Sequence, residues 1–322
     1  MVSRFPPATA GVLMAIGGAE DKLGDKAVLA RFVRLAGGDS ARVLVVSTAS
    51  SLGEEVTDLY RTVFGALGVA EVEALQPRTR EQAERPRAAA AVERASGIFL
   101  TGGNQLRLAM VVGGTAMGRA LTEAYLRGAV VAGTSAGASA LGEHMVSFGR
   151  PGETPRQRMG QLSSGLGLLA GVVVDQHFGE RNRIGRLLAM VAQSPALLGI
   201  GVDEDTAAVI GGDGVLEVIG RGAVTVVDGS AVVSDAYEVR QHRPLLVSGA
   251  VLHALPAGCR FDLAARKLLP RPATLDPGEP PRRSPRRLAK AIATEGAEDR
   301  PRRRRRPHRT HPSPPTGKEA SS

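Results

Sequence analysis

The sequence is poor in the residues that most often carry metal, redox or stacking chemistry. Among 322 residues there is one cysteine (Cys259), six histidines and no tryptophan, and aromatic residues make up 3%. A single cysteine excludes an intramolecular disulfide and a cysteine-built metal site. His177 has no second histidine at ligand spacing, so no metal and no cofactor are expected. With so few rings there is no basis for a base-stacking surface, and no specific nucleic-acid partner is expected. No apolar run approaches the ~18 residues of a membrane span. The N-terminal Met1-Val2-Ser3-Arg4-Phe5-Pro6-Pro7 leads into too short an apolar run for a signal peptide. A cytoplasmic location is the expectation.

Charge divides the chain in two. Residues 271–322 hold 14 Lys+Arg against 6 Asp+Glu, a net of +8 out of the whole-chain +9, which leaves residues 1–270 nearly neutral. The same stretch holds 10 of the 20 prolines and few large apolar residues. Such a segment buries too little surface to offset the entropy of ordering it. The expectation is one folded domain over residues 1–270 and a disordered Pro/Arg-rich basic tail over residues 271–322.

Within the body, short apolar runs alternate with stretches of helical period. Strands are expected at 11–16, 42–47, 69–75, 98–100 and 129–132, separated by helices at 25–35, 54–67, 81–95 and 106–126, the last broken at Gly113-Gly114. Runs that are apolar throughout fit strands buried on both faces, as in a parallel sheet between helices. Further runs at 172–174, 198–202 and 207–210 surround a helix at 184–192. Those at 215–218, 224–227 and 245–247 have no helices between them and predict an antiparallel extension. The fold class is α/β: a mostly parallel central sheet flanked by helices, with a C-terminal β-rich extension.

One turn carries a candidate nucleophile. Gly133-Thr134-Ser135-Ala136-Gly137 follows an apolar strand and precedes a helix, the context of a nucleophile elbow. A serine on such a turn needs small neighbours, and the helix start offers N–H groups to developing negative charge. The pentapeptide equally fits a plain small-residue turn, so a base must be found. His308 and His311 lie in the tail, and His144, His242 and His253 fit surface or structural positions. His177 ends the apolar run 172–174, where functional groups of α/β sheets gather. It is the candidate general base. An orienting carboxylate is available in Asp203-Glu204-Asp205, and position alone does not separate the three.

Several segments together carry a resemblance. They are Ile16-Gly17-Gly18-Ala19-Glu20-Asp21-Lys22, Ser47-Thr48-Ala49-Ser50-Ser51 and Thr101-Gly102-Gly103-Asn104-Gln105-Leu106-Arg107. The others are the Ser135 turn, Asp175-Gln176-His177-Phe178 followed by Arg181, Arg183 and Arg186, and the stretch from Gly199 through Asp203-Glu204-Asp205 to Ala207. In order and spacing this set resembles the cyanophycinases, serine peptidases related to peptidase E, over roughly residues 10–270. The resemblance implies a fold related to class I glutamine amidotransferases, with serine replacing cysteine, and a homodimer. It also implies exo-hydrolysis of cyanophycin, a polyaspartate with arginine on each β-carboxyl, to β-Asp-Arg dipeptides. Ser135 then maps to the nucleophile, His177 to the base and Glu204 to the acid, a choice that the resemblance alone makes.

The remaining matched positions fit that chemistry. The backbone N–H groups of Ala136 and Gly103 are candidates for the oxyanion hole. Gln105, Gln176, Arg181, Arg183 and Arg186 are candidates for binding substrate carboxylates and amides, and Asp175 for binding its guanidinium. Arg183 and Arg186 also fit one solvated helix face. Glu20 and Asp21 read as structural. Asn104 stands where an acid often follows Gly-Gly, and Asn182 where a small residue is common.

Two other functions compete with this one. A related serine dipeptidase acting on aspartyl or isoaspartyl peptides would keep Ser135 and His177. A non-catalytic polyanion-binding protein would rest on Arg302–Arg306, whose affinity would be salt-sensitive. Gly17-Gly18 lacks the G-x-G-x-x-G spacing of a dinucleotide site, and no P-loop occurs.

Overall fold

The computed structural model describes residues 10–270. The basic tail at 271–322 lies outside the described residues. The chain forms strands β1 (Leu13–Ile16), β2 (Arg42–Val46), β3 (Glu71–Leu75), β4 (Gly97–Leu100) and β5 (Val130–Thr134). Helices α1 (Ala27–Leu35), α2 (Glu54–Ala66), α3 (Arg80–Glu84), α4 (Pro86–Arg94), α5 (Gln105–Val112) and α6 (Ala116–Leu126) separate them. These five strands are parallel and lie in the order β1-β5-β4-β2-β3.

Both faces of this parallel core are buried, which explains its unbroken apolar runs. Alternate residues point to opposite sides. Met14, Ile16, Val43, Val45, Phe99, Val130 and Ala132 pack against α1 and α2. Leu13, Ala15, Leu44, Val46, Ile98, Leu100 and Val131 pack against α4, α5 and α6. The first side is centred on Phe99, whose ring centroid lies 4.7 Å from that of Tyr60, 5.3 Å from Phe64 and 5.5 Å from Phe32.

Where the strand-helix alternation ends, the architecture changes. After β5 come α7 (Ala136–Ala140), an antiparallel hairpin of β6 (His144–Gly149) and β7 (Gly160–Ser164), then β8 (Val172–Gln176), α8 (Ile184–Gln193) and β9 (Leu198–Val202). Next are β10 (Thr206–Ile210), β11 (Val215–Gly220), β12 (Ala223–Asp228), β13 (Val233–Ser234), β14 (Val247–Ser248), β15 (Val251–Pro256), β16 (Arg260–Asp262) and β17 (Lys267–Leu269). Strand β10 pairs antiparallel with β1 and extends the central sheet through β11, β16 and β17 to nine strands. Strands β8 and β9 do not join it. They form a second sheet, ordered β15-β12-β9-β8, covered on one face by Leu187, Met190 and Val191 of α8.

The expected fold class therefore holds, with local corrections. The helix expected over 81–95 is two helices, because Pro86 cannot donate an N–H and starts α4 at its first position. The break at Gly113-Gly114 falls between α5 and α6 as expected. The antiparallel extension is real but split: β11 belongs to the central sheet and β12 to the second. The run at 245–247 contributes only Val247–Ser248, paired with β13. The β6–β7 hairpin was not expected, since its strands are short and mixed in polarity. Among the described residues no helix is long and apolar enough to cross a membrane.

Phe99 is wholly buried on the central strand of the parallel core. Replacing it with alanine removes the ring that Phe32, Tyr60 and Phe64 share, and is expected to destabilise the fold by about 3–5 kcal/mol. Equilibrium urea unfolding measures this; a loss below about 1 kcal/mol would show that the cluster is not a principal part of the core.

Candidate active site

Strand β5 delivers Ser135 at its end. Ser135 has φ 52° and ψ −111°, and α7 starts at the next residue. A non-glycine residue held there costs about 1–3 kcal/mol and persists only where its surroundings fix it. The flanking glycines are required by close approach. A Cβ on Gly133 would lie 2.3 Å from the carbonyl carbon of Gly137, and one on Gly137 would lie 2.3 Å from the Leu100 carbonyl oxygen. The Ser135 N–H donates to the carbonyl of Ile16 at 2.9 Å, tying the turn to the end of β1.

His177 comes to the same place from the second sheet, one residue past β8. Its backbone is also left-handed (φ 47°), and its N–H donates to the Gly17 carbonyl at 2.8 Å. The imidazole lies against Gly18, where a Cβ would stand 2.4 Å from its Cε1 atom. Nε2 lies 2.8 Å from Ser135 Oγ, and Nδ1 lies 2.7 Å from Glu204 Oε1. A carboxylate on Nδ1 holds the proton there and leaves Nε2 to accept from the serine hydroxyl.

Burial lowers the imidazole pKa below its ordinary value, with Arg181 and Arg183 adding to the effect, and together they outweigh Glu204. The hydrogen bond to His177 in turn holds the Glu204 carboxyl below the usual range. The arrangement is thus a neutral imidazole beside an ionised carboxylate, which can take a proton from Ser135.

The three adjacent acids separate once their partners are seen. Asp203 accepts the N–H groups of Gly179 (2.9 Å) and Ala223 (3.0 Å), so it joins loops. Asp205 accepts the N–H of Asp21 at 2.8 Å. Only Glu204, between them, meets the imidazole.

On the other side of Ser135 runs the loop 101–103. A Cβ on Gly102 would stand 3.4 Å from the Ser135 Cβ, so this backbone faces the nucleophile. Gly103 (φ 131°) is pressed onto the Ala49 carbonyl, 2.2 Å from where a Cβ would be. Asn104 caps α5 by accepting the Arg107 N–H at 3.1 Å, a role its side-chain oxygen fills without a charge. Asn182 has φ 49°, a conformation asparagine tolerates better than most residues.

The candidate substrate-binding residues sort differently from the sequence expectation. Asp175 is wholly buried, and its carboxylate receives Arg186 Nε (2.5 Å) and Nη2, and Arg183 Nη1 (3.2 Å). No oxygen of Asp175 is open to a substrate guanidinium, which corrects that expectation. Arg186 is turned inward as well and also donates to the Gly149 carbonyl at 3.2 Å. The solvated helix face is corrected too, because Arg183 and Arg186 are both buried. Gln105 donates to the Val146 carbonyl at 2.8 Å, fastening α5 to the β6–β7 hairpin. Among the described residues, Gln176 Oε1 is buried without a hydrogen-bond partner. Arg181 is half-buried, and its charge helps hold the Glu204 carboxyl low.

Glu20, read from sequence as structural, is buried directly behind the elbow. It accepts from Thr134 Oγ1 (2.6 Å), Tyr60 Oη (2.5 Å) and Lys22 Nζ (2.9 Å). Burial raises its pKa, but Lys22, Thr134 and Tyr60 outweigh that and hold it at about 2. Its place in the Gly-Gly-Ala-Glu-Asp motif was the only sequence signal for it.

With this geometry in hand, similarity to known proteins is informative. The model of peptidase family S51 matches residues 12–218. The chain belongs to peptidase family S51. It is 42% identical over 269 residues to the cyanophycinase of Trichormus variabilis, covering 83% of this chain and 90% of that protein. It is 40% identical over 260 residues to the cyanophycinase of Synechococcus elongatus, covering 80% and 81%. A third cyanophycinase, from Geminocystis herdmanii, is 39% identical over 252 residues, covering 78% and 93%. The crystal structure of a peptidase from an acI-B1 Actinobacterium superposes with a TM-score of 0.57 at 23% identity, over 76% of this chain and 98% of that one, and supports the α/β fold. As a member of family S51 the chain is a peptidase, and its candidate catalytic residues lie within the matched segment.

The Asp175 cluster yields a test. Asp175→Asn leaves two buried guanidinium groups facing a neutral side chain, and removing one partner of a buried ion pair typically costs about 3–5 kcal/mol. The urea midpoint is expected to fall accordingly. A midpoint equal to wild type would show that Arg183 and Arg186 are not held by this charge.

Proposed function

We propose that this chain is a serine peptidase that hydrolyses cyanophycin to β-Asp-Arg dipeptides through an acyl-enzyme on Ser135. The observation that carries the proposal is the continuous chain from Ser135 Oγ through His177 to Glu204, with links of 2.8 and 2.7 Å. The substrate assignment is supported by 39–42% identity to proteins named cyanophycinase, over most of both chains.

In this mechanism His177 Nε2 takes the serine proton as Oγ attacks a backbone carbonyl of the polyaspartate chain. Glu204 stabilises the imidazolium that forms. The N–H groups of Gly103 and Ala136 receive the oxyanion, each contributing on the order of 3 kcal/mol to the barrier reduction. His177 then protonates the leaving amine, and water, deprotonated by the same imidazole, releases the acyl group. Gln176, Arg181 and Arg183 bind the substrate's carboxylates and amides, while Asp175, Arg186 and Gln105 shape the pocket from behind. In this reading the enzyme is cytoplasmic, as its sequence suggests, and a homodimer, as the family resemblance implies. The catalytic unit lies within residues 10–270, and the basic tail is not needed for catalysis.

Incubating purified protein with cyanophycin is expected to release β-Asp-Arg, and Ser135→Ala to lower the rate by about 10³-fold or more. Full activity in that variant would overturn the nucleophile. Cleavage of aspartyl dipeptides with no dipeptide release from the polymer would favour the rival substrate instead. Deleting residues 271–322 is expected to leave kcat/KM within about threefold; a larger fall would give the tail a catalytic role.

The pH dependence follows from His177. Its folded-state pKa lies below the ordinary 6.5, so the ring stays neutral and basic to a pH below that value. The acid limb of kcat/KM, which reports the free enzyme, is therefore expected to have its midpoint below 6.5. A midpoint above 6.5 would mean that the Glu204 contact, rather than burial, governs this imidazole.

A further inference from the structure

Glu20 is a buried, ionised group that the mechanism above does not use. It lies on the loop 17–21, which also supplies backbone acceptors to the site: Gly17 takes the His177 N–H and Gly18 takes the Asp205 N–H. The loop follows Ile16, whose carbonyl takes the Ser135 N–H. The loop has two positive-φ residues, Gly18 at 96° and Ala19 at 48°, and the non-glycine Ala19 carries the strain. The Glu20 side chain fastens it to two other elements. Oε2 accepts the hydroxyl of Thr134, the last residue of β5 and the neighbour of Ser135; Oε1 accepts the hydroxyl of Tyr60 on α2. Lys22 supplies the compensating charge.

We propose that Glu20 is a positioning residue for the reaction, acting through the Thr134 hydroxyl to hold Ser135 at its attacking angle and through the loop 17–21 to hold His177 against it. The inference rests on Ser135 being the nucleophile.

Donor and acceptor counting explains the residue type. Thr134, Tyr60 and Lys22 all donate into one space of carboxylate size. A carboxylate has only acceptor sites and satisfies all three. A glutamine there would turn its own N–H groups towards at least one donor, and an aspartate would not span the same distance. The carboxylate is also a mechanical choice. Charge-assisted hydrogen bonds are shorter and about twice as strong as neutral ones, so they restrict Thr134 more tightly. Since Thr134 and Ser135 share a peptide unit, rotation of one moves the other. A displacement near 1 Å at a reacting group lowers turnover by about 10²-fold without removing any substrate contact.

The test compares Glu20→Gln, Thr134→Val and Thr134→Ser with wild type, each measured below its own melting temperature and normalised to folded protein. Two rates are read: cyanophycin hydrolysis, and labelling of Ser135 by a fluorophosphonate, which needs no assumption about substrate. Glu20→Gln and Thr134→Val are expected to lower kcat by about 10–100-fold with KM within about threefold, and to slow labelling in parallel. Thr134→Ser, which restores the hydroxyl, is expected to recover most of the loss. If Glu20→Gln does not fold, the two Thr134 variants decide.

Wild-type kcat per folded molecule in Thr134→Val would overturn the proposal, whatever happens to its melting temperature. So would equal losses in Thr134→Val and Thr134→Ser, or a loss confined to KM. Failure of the nucleophile assignment looks different: wild-type protein would then not be labelled at Ser135 at all.

Discussion

The carbonyls of Ile16, Gly17 and Gly18 accept, in that order, the N–H groups of Ser135, His177 and Asp205 at 2.9, 2.8 and 2.9 Å. These three bonds bring together segments that arrive from different parts of the fold. Ser135 follows β5, which is parallel to β1; Asp205 precedes β10, which is antiparallel to β1 on its other side. His177 belongs to neither neighbour, since β8 lies in the second sheet. The Gly17 carbonyl thus bridges the two sheets at the place where the imidazole must meet the serine. Register does the rest. With β1 fixed between β5 and β10, the elbow and the acid cannot move along the strands independently.

The arrangement is costly in local conformation. Ala19, Ser135, His177 and Asp205 are non-glycine residues with φ between 47° and 52°, and all four lie around the site. At about 1–3 kcal/mol each, their sum is a sizeable share of the ~5–15 kcal/mol net stability of a typical domain. Only a surrounding structure with many independent restraints can hold such a set. The parallel core provides it, packed on both faces and closed on one side by the Phe32, Tyr60, Phe64 and Phe99 rings. Tyr60 belongs to both systems, since its ring packs on Phe99 while its hydroxyl donates to Glu20. Core packing and site geometry are in that sense one network.

How much of this can be read from sequence depends on the range of the interaction involved. Strands β1, β2, β4 and β5 were legible because burial on both faces leaves a continuous apolar run that any window detects. The Ser135 turn was legible because the elbow forces small residues at Gly133 and Gly137. The β6–β7 hairpin was not, and neither was the assignment of β8 and β9 to a second sheet, because pairing partners are a long-range property. The acids at 203–205 show the same limit at single-residue scale. Their identity is local, but their roles come from Gly179, Ala223, Asp21 and His177, which lie elsewhere in the chain. Asp175 was expected to bind a substrate guanidinium, and its buried pairing with Arg183 and Arg186 is invisible without the fold.

That pairing also bears on the state of the imidazole. Arg181 and Arg183 act on the imidazole, Arg186 is paired to the wholly buried Asp175, and Glu204 and Glu180 act on Arg181 from the other side. Burial brings the Arg183 pKa down to about 10, still well above neutral pH, so the guanidinium remains charged. Burial keeps the His177 imidazole neutral, and the charges of Arg181 and Arg183 act in the same direction against the pull of Glu204. One buried cluster therefore reaches the imidazole through Arg181 and Arg183 while Asp175 anchors Arg183 and Arg186. Asp175 sets the balance. Without it, Arg183 and Arg186 would be two buried like charges with no carboxylate between them.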